Sequence, residues 1–403
     1  MKGMGSPEGG REIILVAGTN GKGSVASMIA AMSTAAGIRT GLHTSPHLLH
    51  VGERMRVDGA AAPTEWLARQ MDSLSPLFDE IQPSFFEATV ALSLLWFAEH
   101  DASRWVIEVG LGGRLDATNA LDPIVSVITS IGMDHEALLG PTLADIAREK
   151  AGIARPDRPL VVGSLPDEAM QAVRSQAEKV SAHLICSGAS KPLRTEESGV
   201  WTLPGHHRTL PDVSLPLGGA HQAGNALLAL DTTDMLAELS HTAGMEENVI
   251  RRGLEQVRRL SGLRGRQEWV TPWCMVDVGH NPDALATTFE AFLTAADDRG
   301  EKQTLSIVLG FMQDKDVESA GQLLNQMGQK RPFSVCTIDM PGPRGLAARE
   351  TARRLLEGGW GGSLSEKSLQ EALSASRAAR AMILVAGSHI LAAQAIEWLE
   401  NRV

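Results

Sequence analysis

The sequence predicts an α/β protein in two parts: a P-loop-type domain on a parallel sheet, followed by a smaller Rossmann-like α/β domain. Three observations predict this. Short apolar runs of strand length alternate with longer segments of helical periodicity, the pattern of parallel strands joined by helical crossovers. The first run leads directly into a glycine-rich turn and a helix, and polar residues gather where later runs end. The pattern then restarts, so the two parts are expected as residues 1–260 and 261–403.

The first stretch, residues 13–24, reads IILVAGTNGKGS. Such a turn exposes successive backbone N–H groups at a helix N-terminus, where the helix dipole and Lys22 can hold polyphosphate. The spacing departs from the common G-x-x-x-x-G-K-[ST] form: Val16 stands where its first glycine would be, and Gly23 separates Lys22 from Ser24. On this stretch alone, a glycine-rich turn without a ligand is the competing reading.

Gly37 is a natural end for the first helix, and RTGLHTS reads as a strand that stops at Ser45-Pro46. His43, His47 and His50 are close in sequence, but Pro46 breaks any single helix that would align them on a metal. Residues 63–82 have amphipathic spacing, and FFEATVALSLLWFAEH is a strongly apolar helix in which Phe85 and Phe86 are read as core. WVIEVGLGGRLDATN and PIVSVITSIGMDH are two strand-plus-turn units. LADIAREKAGI is a helix that closes on Lys150 and Gly152, PLVVG is another strand, and residues 186–215 are polar and turn-rich. GGAHQAGNALLALDTTDML opens a further helix, and RRLSGLRGRQEW reads as the connection between the parts. Beyond it, MVDVGHN, TLSIVLGF, FSVCTIDM and MILVAGS are strands, with helix-like segments at 283–296, 317–329, 346–357 and 366–380.

The whole chain narrows the function. With 403 residues, of which 43% are hydrophobic, it can build two or three real cores. A net charge of -11 argues against a broad nucleic-acid or membrane surface. Three scattered cysteines without metal spacing fit a reducing compartment. The polar N-terminus lacks an apolar signal core, and no run of about 18 apolar residues occurs. Both point to the cytoplasm. The glycines of GLGG lack the G-x-G-x-x-G spacing and the acid that a dinucleotide site needs, so oxidoreductase chemistry is disfavoured.

Phosphate chemistry also needs a hard divalent ion with oxygen ligands. Ser45, Glu108 and His135 each follow a separate apolar strand, so a parallel sheet would bring them to the edge that holds Lys22. Each alone could equally be a capping serine, a satisfied carboxylate or a satisfied histidine. Their joint placement favours a site.

GTNGKGS, TSPHL with ERMRVDG, EVGLGGRLDATN, ITSIGMDHEALLGPTLADIAREKAGI, HQAGNA, DVGHNP and DKD follow one another in order from about residue 13 to 390. Together they make the chain resemble folylpolyglutamate synthase and dihydrofolate synthase of the Mur ligase superfamily. The resemblance implies a parallel-sheet ATPase domain, a C-terminal ligase domain and an ATP-dependent amide ligase. It assigns the phosphates to Gly18, Thr19, Asn20, Gly21, Lys22, Gly23 and Ser24, and magnesium to Ser45, Glu108 and His135. Lys150 matches a lysine that is carbamylated in many members and supports a second magnesium. Asn225, Arg266 and Asp277 match nucleotide contacts, and His280 matches a histidine near the reacting phosphate or the amino acid. On the acceptor side the positional matches are Ser84 with Phe85 and Phe86, and Leu115 with Asp116.

The implied reaction has two steps: a substrate carboxylate takes the γ-phosphate of ATP, and the amino group of L-glutamate then displaces phosphate from the acyl phosphate. Lys22 and Arg266 would counter the charge, and closure of the two domains would complete the site. The implied substrates are ATP, L-glutamate and a folate or dihydropteroate, and the implied state is a monomer. Departures from the family are the strand already begun by Ile13, which bears on the dihydropteroate reaction and pterin binding, Gly279 in place of alanine, and Arg264 in place of proline. Two other readings are a Mur-type amino-acid ligase for a non-folate carboxylate and a non-catalytic nucleotide-binding paralogue.

Overall fold

The structure is a computed structural model that describes residues 5–188, 190–195, 200–240, 245–299 and 304–402. The chain forms two compact units, one running to Pro216 and resuming over Ala220–Leu263, the other made of Leu217–Gly219 and Arg264–Val403. The units part between Leu263 and Arg264, within the stretch read as a connection.

The first unit is organised on an eight-stranded sheet in the order β4-β3-β2-β5-β1-β6-β7-β8. Its strands are β1 (Glu12–Ala17), β2 (Thr40–His43), β3 (Met55–Val57), β4 (Ala60–Ala61), β5 (Arg104–Glu108), β6 (Val125–Ile128), β7 (Pro159–Val162) and β8 (His183–Cys186). β1 lies between β5 and β6 and is parallel to both. Apart from the hairpin edge of β3 and β4, all pairings are parallel. A central strand covered on both faces must be apolar throughout, which is why IILVA carries no alternation.

The helix Lys22–Ala35 follows β1 and is buried from Gly23 to Ser33. Past its end Gly37 adopts φ 79°, while its N–H donates to Thr34 O at 3.0 Å and Ile38 N–H to Ser33 O at 3.0 Å. The left-handed glycine lets the chain turn back into β2. Behind this helix the backbone of Gly253, in the helix Glu247–Glu255, comes so near that a Cβ there would lie 2.6 Å from Met32 Cα. The helix Phe85–Glu99 starts at a capping box: Ser84 Oγ accepts from Glu87 N–H at 3.3 Å and Glu87 Oε2 from Ser84 N–H at 2.7 Å. Phe85 is 59% exposed, which corrects its reading as core, whereas Phe86 packs where a Cβ on Gly110 would be. The polar stretch at 186–215 contains a small antiparallel sheet of β9 (Leu193–Arg194), β10 (Trp201–Pro204) and β11 (Thr209–Val213). The helix Ala220–Leu239 follows.

The second unit holds β12 (Glu268–Thr271), β13 (Cys274–Val276), β14 (Leu305–Leu309), β15 (Ser334–Thr337), β16 (Ser363–Glu366) and β17 (Met382–Ala386), in the order β12-β13-β17-β14-β15-β16. β12 pairs antiparallel and the rest parallel. Phe289, Phe292 and Phe311 are fully buried in its core. The segment expected to be helical over 366–380 instead opens on the end of β16. Its helix, Leu369–Ala378, begins after the capping serine Ser368. Among the described residues, no helix is long and apolar enough to cross a membrane.

Gly253→Ala is expected to destabilise the protein by about 1–3 kcal/mol, because the added methyl meets backbone that cannot rotate away. Gly224→Ala, in the helix Ala220–Leu239 with nothing within 4 Å of the added carbon, is expected to stabilise it by about 0.5–1 kcal/mol. Urea titrations of the two variants check both signs.

Candidate active site

The turn after β1 is built from outside as much as from within. Gly18 has φ 149°, and a Cβ there would stand 1.9 Å from Thr129 Oγ1. Only glycine fits. Thr19 N–H donates to Ser130 O at 2.8 Å and Asn20 N–H to Ser130 Oγ at 2.9 Å. Asn20 O accepts from Thr129 Oγ1 at 2.6 Å and from Ser130 Oγ at 3.0 Å, and Thr19 Oγ1 accepts from Gly132 N–H at 3.0 Å. Thr129 and Ser130, just past β6, therefore brace the loop. Gly21, with φ 85°, turns the chain into the helix without a side-chain cap. That leaves the first turn of a buried helix open to an anion.

Two lysines converge on this turn. Lys22 Nζ donates to Gly18 O at 3.1 Å and Thr19 O at 3.0 Å, and Lys150 Nζ donates to Gly18 O at 2.9 Å. Lys150 is only 4% exposed. Burial above all, and then the charge of Lys22, lower its pKa to about 7, against the pull of Asp134. Near neutral pH a substantial share of this amine is uncharged and nucleophilic.

Ser45 and Glu108 meet at the same edge, where Ser45 N–H donates to Glu108 Oε2 at 2.9 Å and the carboxylate is buried. His135 takes a left-handed conformation at φ 50°, with its ring 3.8 Å from the Asp134 carboxylate and well exposed. The three histidines of the TSPHL region do not gather. His43 is buried, with its pKa lowered to about 3 by burial and then by Arg54, and bonds Ser93 Oγ at 2.7 Å. His47 Nδ1 accepts from Arg54 Nε at 2.8 Å, and His50 caps a short turn. Among the described residues, no three His, Cys, Asp or Glu side chains form a ready metal cage. The set of Ser45, Glu108 and His135 is of another kind, with a hydroxyl and a buried carboxylate as hard oxygen donors, which suits a magnesium-like ion.

Asn225 lies against the loop, its Oδ1 2.7 Å from where a Cβ on Gly21 would be. On the acceptor side, Ser84 and Asp116 have structural duties. Asp116 accepts from Leu111 N–H at 2.9 Å, Thr118 N–H at 2.9 Å and Thr118 Oγ1 at 2.6 Å. Phe86 is half-buried, and Leu115 is 79% exposed.

Arg266, Asp277 and His280 belong to the second unit. Asp277 is buried, which raises its pKa, while Arg266 and three hydrogen bonds act in the other direction. It accepts from Gln267 N–H at 2.8 Å, Gly279 N–H at 2.6 Å and Thr288 Oγ1 at 3.0 Å. His280 Nδ1 lies 3.0 Å from Val278 O, and its ring centroid is 5.4 Å from that of His389. Arg264, where the family has proline, is tied to Glu268 and Glu400 at 2.7 Å each. Thr129 and Ser130 lie within ITSIGMDH and Arg54 within ERMRVDG, but none of the three is among the residues given a role there. The first two are detectable in the sequence as the polar pair that ends the strand beside β1.

These features define a Mur-type ligase. Residues 16–233 match the family model described as "Mur ligase middle domain", and residues 265–389 match "Mur ligase, glutamate ligase domain". The chain belongs to this superfamily, and within it to the folylpolyglutamate synthase/dihydrofolate synthase family. The Escherichia coli dihydrofolate synthase/folylpolyglutamate synthase is 33% identical over 396 residues, covering 97% of this chain and 87% of that protein. A probable bifunctional folylpolyglutamate synthase/dihydropteroate synthase of Haloferax volcanii is 34% identical over 354 residues, covering 84% of this chain and 40% of that longer protein. Among solved structures, Mycobacterium tuberculosis folylpolyglutamate synthase complexed with ADP superposes with a TM-score of 0.88 at 30% identity, covering 99% of this chain and 92% of that one. A bifunctional folylpolyglutamate synthase/dihydrofolate synthase with Mn, AMPPNP and L-glutamate bound gives a TM-score of 0.81 at 28% identity, covering 99% and 91%.

Lys150 generates a pH signature. The unfolded chain holds its proton to the ordinary value of 10.5, whereas the folded protein releases it near 7. Between those limits the unfolded state binds more protons, so stability rises with pH. Relative to Lys150→Met, the wild type is therefore expected to gain stability from pH 7 to 10 in nucleotide-free, bicarbonate-free buffer. Urea denaturation at each pH checks this, and a flat difference contradicts it.

Proposed function

We propose that this chain joins L-glutamate to a folate carboxylate at the expense of ATP, with an acyl phosphate as intermediate. The observation that carries the reading is the convergence of Lys22 and Lys150 on Gly18 O, at the sheet edge where Ser45 meets Glu108. That is a cationic cradle beside hard oxygen donors, which suits phosphate. The relatives' ADP, AMPPNP, Mn and L-glutamate support ATP, a divalent ion and glutamate as its ligands.

The free carboxylate of the acceptor is a poor electrophile. Its oxygen attacks the γ-phosphorus of ATP, and the bond to the β–γ bridging oxygen breaks to release ADP. Lys22 gives up its carbonyl partners for the more negative phosphate oxygens, which costs little reorganisation because the side chain already lies over the loop. The neutral amine of glutamate then attacks the acyl carbon and phosphate leaves, taking the activated oxygen with it. Ser45, Glu108 and His135 would hold magnesium, which when bound neutralises phosphate charge. Lys150 is assigned as the lysine that takes up CO2. The uncharged amine attacks the carbon and loses a proton, which turns a cation into an anion suited to a second ion. Arg266, Asp277, His280 and Asn225 are assigned to the nucleotide and the transferring phosphate by motif.

The acceptor side favours a large apolar partner. Phe85, Leu115, Met133 and Leu138 are 59%, 79%, 41% and 72% exposed, at the start of the helix Phe85–Glu99, in two loops and in the short helix Glu136–Leu139. These side chains are assigned as candidates to meet the ring system of a pterin-bearing acceptor. Three free cysteines accord with a reducing, cytoplasmic setting.

With magnesium ATP, L-glutamate and either dihydropteroate or tetrahydrofolate, ADP release is expected to require all three substrates. Lys22→Ala should lower kcat by about 10²-fold or more. A wild-type protein that binds ATP yet turns over with neither acceptor would sink the proposal. Turnover confined to non-folate carboxylates would point to the other Mur-type chemistry.

A further inference from the structure

The helix Ala220–Leu239 contributes to the loop a buried residue that belongs to none of the assigned contacts. Gln222 is 3% exposed, and a buried amide is costly unless its donor and acceptor are both used. Both are. Nε2 donates to Ser24 Oγ at 3.3 Å, and Oε1 accepts from Asn225 Nδ2 at 3.1 Å. Ser24 is itself 2% exposed, in the first turn of the phosphate helix. Asn225 in turn covers Gly21, the left-handed residue where loop becomes helix.

We propose that Gln222 is a positioning residue for nucleotide binding: it turns the Ser24 hydroxyl proton toward the phosphates and holds Asn225 over the Gly21 turn. A hydroxyl has one proton and two lone pairs. Donation from Gln222 Nε2 takes a lone pair and leaves the proton to be given away. A serine inside a helix otherwise tends to donate back to the carbonyl four residues earlier. Here that carbonyl is Asn20 O, which already accepts from Thr129 and Ser130. Both devices keep the Ser24 proton available to an incoming anion.

The inference rests on the reading of this turn as a phosphate loop, and the test separates the two. Calorimetric titration with magnesium ADP is expected to show Gln222→Leu weakening Kd by about three- to ten-fold, the size of one buried hydrogen bond. Gln222→Asn, one methylene too short to reach, should show the same loss and serves if the leucine variant does not fold. In a Ser24→Ala background the Gln222 substitution should weaken binding by less than it does in the wild type, because only the hold on Asn225 is then left to lose. Variants at Gln222 that bind magnesium ADP like the wild type overturn the inference, as do effects of Ser24→Ala and Gln222→Leu that multiply. A wild-type protein that binds no magnesium ADP overturns the phosphate-loop reading and this inference with it.

Discussion

The parallel pairing of β1 with β5 on one side and β6 on the other is the constraint on which the site depends. Val16 pairs with Glu108 and Ala17 with Ile128, so the three strands end within a residue or two of one another. Gly18, Glu108 and Thr129 then lie along one edge. The strands are so deeply buried that they are apolar along most of their length, and Ser126 within β6 is paired with Ile153 O. Polar chemistry is thereby pushed to the strand ends, and the register lines those ends up.

That edge concentrates positive charge. Lys22 and Lys150 share Gly18 O, and burying the Lys150 amine beside the half-buried Lys22 is costly. Part of that cost is relieved by depressing the proton affinity of Lys150. Two amines converging on one loop suit an anion there. Thr129 and Ser130 matter for the same reason. By occupying Asn20 O and the N–H of Asn20, they keep the loop from collapsing onto its own groups.

Much of this is legible in the sequence because it is local or periodic. The strand, turn and helix at 13–35, the helix Phe85–Glu99 and the main strands of both units follow from apolar runs and turn residues alone. The helices Asp167–Val180, Glu247–Glu255 and His389–Glu400, with the edge strands β12 and β16, do not stand out in the same way. The edge strands are short and partly polar, and the first two helices are rich in charged and amide side chains, so their patterns compete with loop. Phe85 misleads because an aromatic pair in an apolar helix reads as core, while only the tertiary position shows that the helix start projects at the sheet edge. The brace of Thr129 and Ser130 and the buried Gln222 depend on sheet order and on contacts across some 110 and 198 residues. No local pattern encodes such separations.

Gly279 shows how a small departure from a family motif acquires a physical meaning only in three dimensions. Where alanine is usual, glycine suggests a looser turn. In the structure a Cβ at 279 would lie 2.7 Å from Asp277 Oδ1 and 3.3 Å from both Ala284 Cβ and Thr288 Oγ1. The carboxylate instead sits 2.6 Å from the Gly279 N–H, with Thr288 Oγ1 donating to the same oxygen. An alanine would have to push Oδ1 away from one donor or the other. The glycine thus tightens the donor set around a buried carboxylate, and it counters the burial that raises the proton affinity of Asp277. A motif substitution that reads as a loss of rigidity in the chain is, at the side chain that matters, the space that a close hydrogen bond needs.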